Sequence, residues 1–303
     1  MELKLFSVII PNKNNTKLLD RCLQSIPRRD DIQIIICDDN SDPSKMDFDN
    51  YPGSKDDRAE ILFSKESKGA GHARNMGLSK AVGKWVLFAD SDDFYEPNAF
   101  DIFEKYADSD YDIIYFNVIS RDTNSLKRSN RDRNFSNYID LYISGKDPNA
   151  ENIRFRKWEP WNKMYRRTFL DKINIKFDEI PRCNDMHFTL FSGLLATKYM
   201  AIPEKLYCIT TNYSSITKTK IVKEVFWYSI LCEMKKNYIY ELIRRKEWQS
   251  KYVFIFLCIL KNNGIKQFFE YLYMLYDRRE RIKQFRQRLV EQKEFCNLKY
   301  YQG

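Results

Sequence analysis

Short apolar runs rich in β-branched residues alternate along this chain with stretches whose apolar residues return every three or four positions. Leu5–Pro11 (LFSVIIP) reads as a buried strand closed by proline and polar residues. Leu18, Leu19, Cys22, Leu23 and Ile26 then recur at helical spacing, and Pro27 ends the segment. Gln33–Cys37 (QIIIC) predicts a second buried strand, stopped by Asp38-Asp39-Asn40-Ser41, and Ile61–Phe63 a short third one. Gly69-Ala70-Gly71 opens a helix expected to run through Val82, and Trp85–Ala89 (WVLFA) is a strand closed by Asp90-Ser91-Asp92-Asp93. A helix starts near Pro97, a residue suited to a first turn, and Tyr111–Val118 gives a further strand.

The next stretch, Ser120–Ala150, is polar and rich in Arg, Asn, Asp and Ser, so an exposed loop or mobile arm is expected there. Helical segments around Lys163–Ile173 and Met186–Ala196 and a strand near Leu206–Thr210 complete the pattern. Strand alternating with helix predicts βαβ units and an α/β fold with a mostly parallel central sheet flanked by helices. Beyond Ile216 the period is helical, with Val222, Val225, Phe226, Ile230, Met234 and Tyr238 on one stripe.

Composition narrows this picture. With 303 residues, 43% of them hydrophobic and 15% aromatic, the chain is globular and large enough for one sizeable core or two unequal ones. No run approaches the ~18 apolar residues of a membrane span. Met1 leads straight into a strand-like segment without a signal-peptide pattern. Seven cysteines, none in CxxC spacing, indicate a reducing compartment rather than a disulfide framework or zinc site. A cytoplasmic location is expected.

Charge divides the chain. From Lys218 onward there are 19 Lys and Arg against 9 Asp and Glu; before it there are 32 against 33. The whole net charge of +9 therefore comes from the C-terminal region. There Lys235, Lys236, Arg244, Arg245, Lys246, Arg278, Arg279, Arg281, Lys283, Arg286 and Arg288 are interleaved with aromatic residues such as Trp227, Phe256, Phe269 and Tyr273. Such a mixture suits an anionic membrane surface, reached peripherally from the inner face of the cell membrane. It equally suits helices packed on the catalytic domain or on a second subunit in a homodimer. Mixed signs and the absence of a reader motif argue against nucleic acid.

The candidate chemistry lies at strand ends. In an open α/β sheet ligands bind outside the carboxyl ends of the strands, and two strands here end in acidic clusters, at Asp38-Asp39 and at Asp90–Asp93. Crowded carboxylates repel unless a cation joins them, so Mn²⁺ or Mg²⁺ holding substrate phosphates is one reading. Turn and capping residues are the other, since Asp and Asn are frequent there.

The ordered set SVIIP, ICDDNSD, KGAGHARNMGLSKAVGKWVLFADSDD and NDMHF resembles the catalytic domain of glycosyltransferase family 2, from Phe6 to about Thr217. WNKMYRRTFL at Trp161–Leu170 and YSSIT at Tyr213–Thr217 resemble segments of members that act in bacterial polysaccharide synthesis. The resemblance implies a GT-A nucleotide-diphospho-sugar transferase fold at 1–217, with a nucleotide-sugar half at about 1–118 and an acceptor half at about 119–217. A basic, aromatic-rich helical region then occupies 218–303. It also implies inverting transfer of a sugar from a nucleotide diphosphate donor, UDP-linked, to a hydroxyl of a saccharide or lipid-linked saccharide.

By the same resemblance Pro11 lines the nucleotide and Asp39 binds the base. Arg74 and Asn75 match the family's RN pair near the donor. Asp90 and Asp92 form the DxD pair, with Asp92 the direct metal ligand and Asp90 also facing the donor. Asp185 is the general base. Position 184, usually Glu in the family, is Asn184 here. His187, two residues after Asp185, is a candidate third metal ligand, and His72 a candidate neighbour of the phosphates. Nucleotidyl transfer is an alternative on a similar sheet; PNKNNTK, standing where a glycine-rich phosphate loop is required, argues against it. A non-catalytic nucleotide-sugar-binding scaffold is a third reading, opposed by Asp39, Asp90, Asp92 and Asp185 occurring together.

Overall fold

A computed structural model describes residues 4–180, 183–211, 223–242, 252–284 and 287. The chain divides into two compact units, one of residues 1–180 with 184–213 and one of residues 181–183 with 214–303. The expectations for Tyr213–Thr217, Val222, Arg244–Lys246, Arg286 and Arg288 fall outside the described residues, as do the side chains of Val225, Lys235, Lys236 and Tyr238.

In the first unit the strands are β1 (Phe6–Asn12), β2 (Ile32–Asp38), β3 (Ala59–Phe63), β4 (Trp85–Phe88), β5 (Phe94–Tyr95), β6 (Ile113–Asp122), β7 (Lys163–Arg166) and β8 (Tyr199–Thr211). The helices are α1 (Thr16–Gln24), α2 (Ala70–Leu78), α3 (Ala99–Lys105), α4 (Arg133–Ile143), α5 (Glu151–Arg156), α6 (Arg167–Ile173) and α7 (Met186–Leu195). One sheet has the order β3-β2-β1-β4-β7-β6-β8-β5. The strands β3, β2, β1 and β4 run parallel. All seven residues of β1 are buried, as a strand covered on both faces requires.

The sheet is mostly parallel, as expected, with β6 and β8 also parallel to each other, but two strands run against the rest. β7 enters antiparallel between β4 and β6, and β5 pairs antiparallel with β8. Lys163–Arg166 is accordingly strand, and only Arg167–Ile173 of that stretch is helix. Position 118 falls inside β6, so the two halves of the unit share a strand.

The loop expected at Ser120–Ala150 is also corrected. β6 continues to Asp122, and α4 is anchored by buried Phe135 and Ile139, four residues apart on one face. Phe135 packs against Trp161 with ring centroids 5.0 Å apart, and Trp161 stacks on Tyr207 of β8 at 5.6 Å.

The second unit contains α8 (Lys223–Leu242), α9 (Tyr252–Asn263) and α10 (Ile265–Asp277). Phe226, Ile230 and Met234 of α8 repeat every four residues and are buried with Trp227, Ile259, Tyr271 and Met274. Phe226 stacks on Tyr271 at 5.2 Å. Among the described residues no helix is long and apolar enough to cross a membrane.

Candidate active site

The nucleotide side is built where β1 and β2 end. Pro11 is buried at the penultimate position of β1, and the carbonyl of Asn12 accepts the Asp39 N–H at 2.9 Å. The two acids after β2 behave differently. Asp38 is saturated: its carboxylate accepts from the Ser41 amide (2.7 Å), the Ser41 hydroxyl (2.6 Å) and the Tyr51 hydroxyl (2.7 Å). Asp39 accepts from exposed Lys13 at 3.1 Å and from the Gly69 amide at 3.0 Å. It is the acid of the pair that a ligand can address by displacing an exposed lysine.

Gly69 makes that bond from a left-handed conformation, φ +91°, immediately before α2. Two residues on, Gly71 lets the helix touch another segment; a Cβ there would stand 2.0 Å from the carbonyl oxygen of Asp178. Helix α2 is thereby pressed on the chain that leads to Asp185. Asn75 completes the clasp, its Nδ2 donating to the Phe177 carbonyl at 3.0 Å and its Oδ1 accepting the Phe177 N–H at 2.9 Å. Both ends of the Asn75 amide are thus committed to Phe177, so it positions the site. The Phe177 ring stacks on Phe188 at 4.0 Å, and both rings meet Phe88 edge-on. Each such pair contributes ~0.5–1.5 kcal/mol beyond its buried area, which fixes the start of α7 against β4.

Arg74 is the link between the two sides. It is buried, its guanidinium lies over the Phe177 ring at 5.4 Å, and it donates to Asp90 Oδ1 at 2.6 Å and to Asn184 Oδ1 at 2.9 Å. Asn184 therefore serves the arginine as a neutral acceptor.

The strand β4 ends in the cluster that carries the charge. Asp90, Asp92 and Asp93 bring carboxylate oxygens within 4.8 Å of one another, a grouping among the described residues from which His187 is absent. The His187 ring packs at 4.7 Å from Phe191. Removal from water first, and crowding by Asp90 second, raise the Asp92 carboxyl above the usual carboxylate range. Burial and its two acidic neighbours push Asp93 well above it. The Asp93 carboxylate also accepts the Thr210 amide at 2.6 Å, tying the cluster to β8, and the Asp90 amide donates to the Tyr207 hydroxyl at 2.9 Å. Three crowded hard oxygen donors fit a divalent cation such as Mn²⁺ or Mg²⁺, whose charge would relieve their repulsion.

Two arginines beside the cluster carry no sequence signal of their own. Arg21 donates to the Asp92 carbonyl at 2.5 Å and Arg131 to the Thr210 carbonyl at 2.8 Å, and both draw the Asp92 carboxyl downward. Arg131 comes from the stretch expected to be an arm, so only its packing beside β8 shows it belongs here.

Asp185 precedes α7 as its N-cap residue. A helix start favours a charged carboxylate, but burial outweighs that here. Burial moves its pKa from 3.8 up to about 7; Arg74 opposes the rise, and Glu159 and Asp90 add to it. A carboxyl poised near neutrality, next to the Asn184 that Arg74 links to Asp90, can accept a proton. Nearby Lys163 on β7 is fully buried, and burial lowers its pKa to about 7. His72 faces Glu179, with Nδ1 3.1 Å from Oε1.

The family model described as glycosyl transferase family 2 matches residues 7–178, more than half of the chain. EpsH of Bacillus subtilis (strain 168), whose name assigns it to the glycosyltransferases, is 25% identical over 293 residues, covering 90% of this chain and 82% of EpsH. Glycosyltransferase GlyG of Streptococcus pneumoniae serotype 4 is 25% identical over 236 residues, or 72% of this chain and 74% of GlyG. Among solved structures, Staphylococcus aureus TarS in complex with UDP-GlcNAc superposes with a TM-score of 0.57 at 18% identity, covering 85% of this chain and 71% of that one. The mannosyltransferase PcManGT of Pyrobaculum calidifontis, in complex with GDP-Man and Mn²⁺, gives 0.53 at 14% identity over 99% and 88%.

Proposed function

The chain belongs to glycosyltransferase family 2 and has its GT-A fold, and from that premise we propose the donor, the acceptor class and the route of transfer. The donor is a nucleotide diphosphate sugar with UDP as carrier, and the acceptor a hydroxyl of a saccharide or lipid-linked saccharide in cell-surface polysaccharide synthesis. The TarS complex with UDP-GlcNAc and the polymer-related names among the relatives support this reading. The observation that carries it is the half-buried Asp185 carboxyl, poised near pH 7 and next to the Asn184 that Arg74 ties to Asp90 of the acidic cluster.

In this route the acceptor hydroxyl gives its proton to Asp185 while its oxygen attacks the anomeric carbon. The carbon–oxygen bond to the diphosphate breaks, and the nucleoside diphosphate leaves with the electron pair. One displacement inverts the anomeric centre. Asp90 and Asp92, with Asp93 beside them, would hold a divalent cation, which would supply positive charge to the departing diphosphate. Arg74 holds Asp90 in place, and Arg21 and Arg131 add positive potential at the rim.

Calorimetry with a panel of nucleotide sugars, with and without Mn²⁺, tests the donor; no binding by any UDP-sugar would overturn this choice. Within the panel, Asp39→Ala is expected to weaken UDP binding by about one to two decades. Loss of a charged acceptor costs ~1.5–3 kcal/mol. An unchanged affinity would place the base elsewhere.

The second unit supports an attachment to anionic bilayers in the same reading. On α10, Ile265, Phe269, Leu272, Tyr273 and Tyr276 form one exposed stripe, while Phe268, Tyr271, Met274 and Leu275 of the other face pack inward. Ile265, Phe269 and Tyr273 are 60–70% exposed, a large apolar commitment to water for one helix face. Exposed Lys266, Arg279, Arg281 and Lys283 accompany the stripe, and the region's excess of positive charge, 19 Lys and Arg against 9 Asp and Glu, complements acidic lipid. Each Lys or Arg near such a surface adds ~1 kcal/mol, screened by salt. The protein is expected to sediment with phosphatidylglycerol vesicles at low salt, weakly with phosphatidylcholine, and less after Phe269→Ser with Tyr273→Ser. A dimer that loses its affinity for itself in that double variant, without vesicle binding in the wild type, would show that a second copy covers the stripe instead.

A further inference from the structure

The loop between α5 and β7 brings unmet hydrogen-bonding groups to the acceptor side. Asn162 is fully buried, and its Nδ2 has no acceptor among the described residues. Three residues earlier, Glu159 Oε2 is buried and has no donor among them. Buried polar atoms are paired as a rule, so an orphan donor and an orphan acceptor in one loop point to a ligand.

The two are held together and held beside Asp185. Lys163 Nζ donates to the Glu159 carbonyl and, at 2.8 Å, to Asn162 Oδ1. With Oδ1 so engaged, the Asn162 amide keeps only its NH₂ for a ligand. Buried Thr189 then binds the loop to the start of α7, its hydroxyl lying 2.6 Å from the Trp158 carbonyl and 2.9 Å from the Asp185 carbonyl. Glu159 thus stands close enough for its charge to act on Asp185. Position 184 supplies no second carboxylate, because Asn184 is there and its oxygen serves Arg74.

We propose that Glu159 and Asn162 form an acceptor subsite for a sugar hydroxyl adjacent to the one that attacks. The adjacent hydroxyl donates to Glu159 Oε2 and accepts from Asn162 Nδ2, as only a group that is both donor and acceptor can. The acceptor class is therefore a vicinal diol, as in an unmodified pyranose, and a lone alcohol lacks the second anchor. This rests on Asp185 acting as the base. It adds a second carboxylate, from a distant segment, which reads the acceptor without taking its proton.

The test uses the full chain, Mn²⁺ and whichever nucleotide sugar the wild type hydrolyses, and measures how the donor partitions between water and added acceptor. Glycerol and methyl β-glucopyranoside are the diol probes, and propan-1-ol the single-alcohol probe. Glu159→Gln is expected to lower kcat/KM for the diol probes by about 10- to 100-fold, the range for losing a charged hydrogen bond. Donor KM should stay near wild type, hydrolysis should fall less than transfer, and Glu159→Asp should recover part of the loss. A melting curve checks that the variants fold. An unchanged partition overturns the subsite, and so does a fall in hydrolysis equal to the fall in transfer, which would put Glu159 on the donor. If the wild type hydrolyses no nucleotide sugar, the proposed function fails by itself. Saturation-transfer NMR of methyl β-glucopyranoside with UDP and Mg²⁺ then reads the subsite, and equal signals from wild type and Glu159→Gln overturn it.

Discussion

Asp185→Asn is expected to lower kcat by ~10²–10⁴-fold, the contribution of a positioned general base, while UDP and Mn²⁺ bind close to normally. Amide and carboxylate are nearly isosteric, so the N-cap position and the Thr189 contact to the main chain survive the change. The pH profile separates this role from a structural one. A base works only when deprotonated, and burial holds Asp185 near pH 7, so wild-type kcat/KM should climb through about pH 7 and level above it. The variant should lose that limb. Stability moves the other way: the folded protein retains a proton that the unfolded chain has released, so this carboxyl disfavours folding increasingly between its usual range and pH 7. The variant should then melt higher than wild type at pH 8 and no higher at pH 4. Lost donor affinity with a spared rate at saturating donor would make Asp185 a binding residue.

Asp92→Asn, or excess chelator on the wild type, is expected to reduce transfer by about three decades or more. A bound cation supplies several kcal/mol to the departing charge, and each decade of rate takes ~1.36 kcal/mol. Circular dichroism should be unchanged, because the carboxylate bond to β8 is made by Asp93 and not by Asp92. Retained activity in chelator would remove the metal from the mechanism and leave the cluster as a strand end held by Arg21 and Arg131.

The strands that carry these acids were legible because each is an unbroken β-branched or aromatic run that stops abruptly in Asp. A sheet covered on both faces demands that pattern, as in QIIIC and WVLFA. β7 was not legible, since a strand whose first residue is a fully buried lysine offers no apolar signal. Its neighbour Arg167 begins a helix at once, so the whole stretch reads at helical period. Two-residue β5 is too short to leave any pattern. Around the site, Asp90, Asp92, Asp185 and Arg74 stood out through their motifs, and the structure brings them together through Arg74. Arg131 and Glu159 carry no local pattern, and Asn162, though inside WNKMYRRTFL, has no role that the motif assigns. Each matters through a neighbour far along the chain: Thr210 for Arg131, and Thr189 for the loop that holds the other two. Asn75 shows the converse, for its place beside Arg74 in the motif gave no hint that both ends of its amide are engaged by Phe177.

The placement of β7 has a consequence for engineering. Trp85 pairs with Arg166, Ile113 with Tyr165, and Tyr95 with Tyr207, so the late strands β7 and β8 fill the interior of a sheet whose edges, β3 and β5, come from early ones. A nascent chain cannot close this sheet until most of the unit has been made, and pairings of such long range slow folding. Nor can a donor-binding fragment be grafted onto a foreign acceptor fragment, because any cut leaves β4 and β6 with bare edges that invite aggregation. The exchangeable unit for altering what this fold glycosylates is a connection, such as residues 157–162, rather than a half.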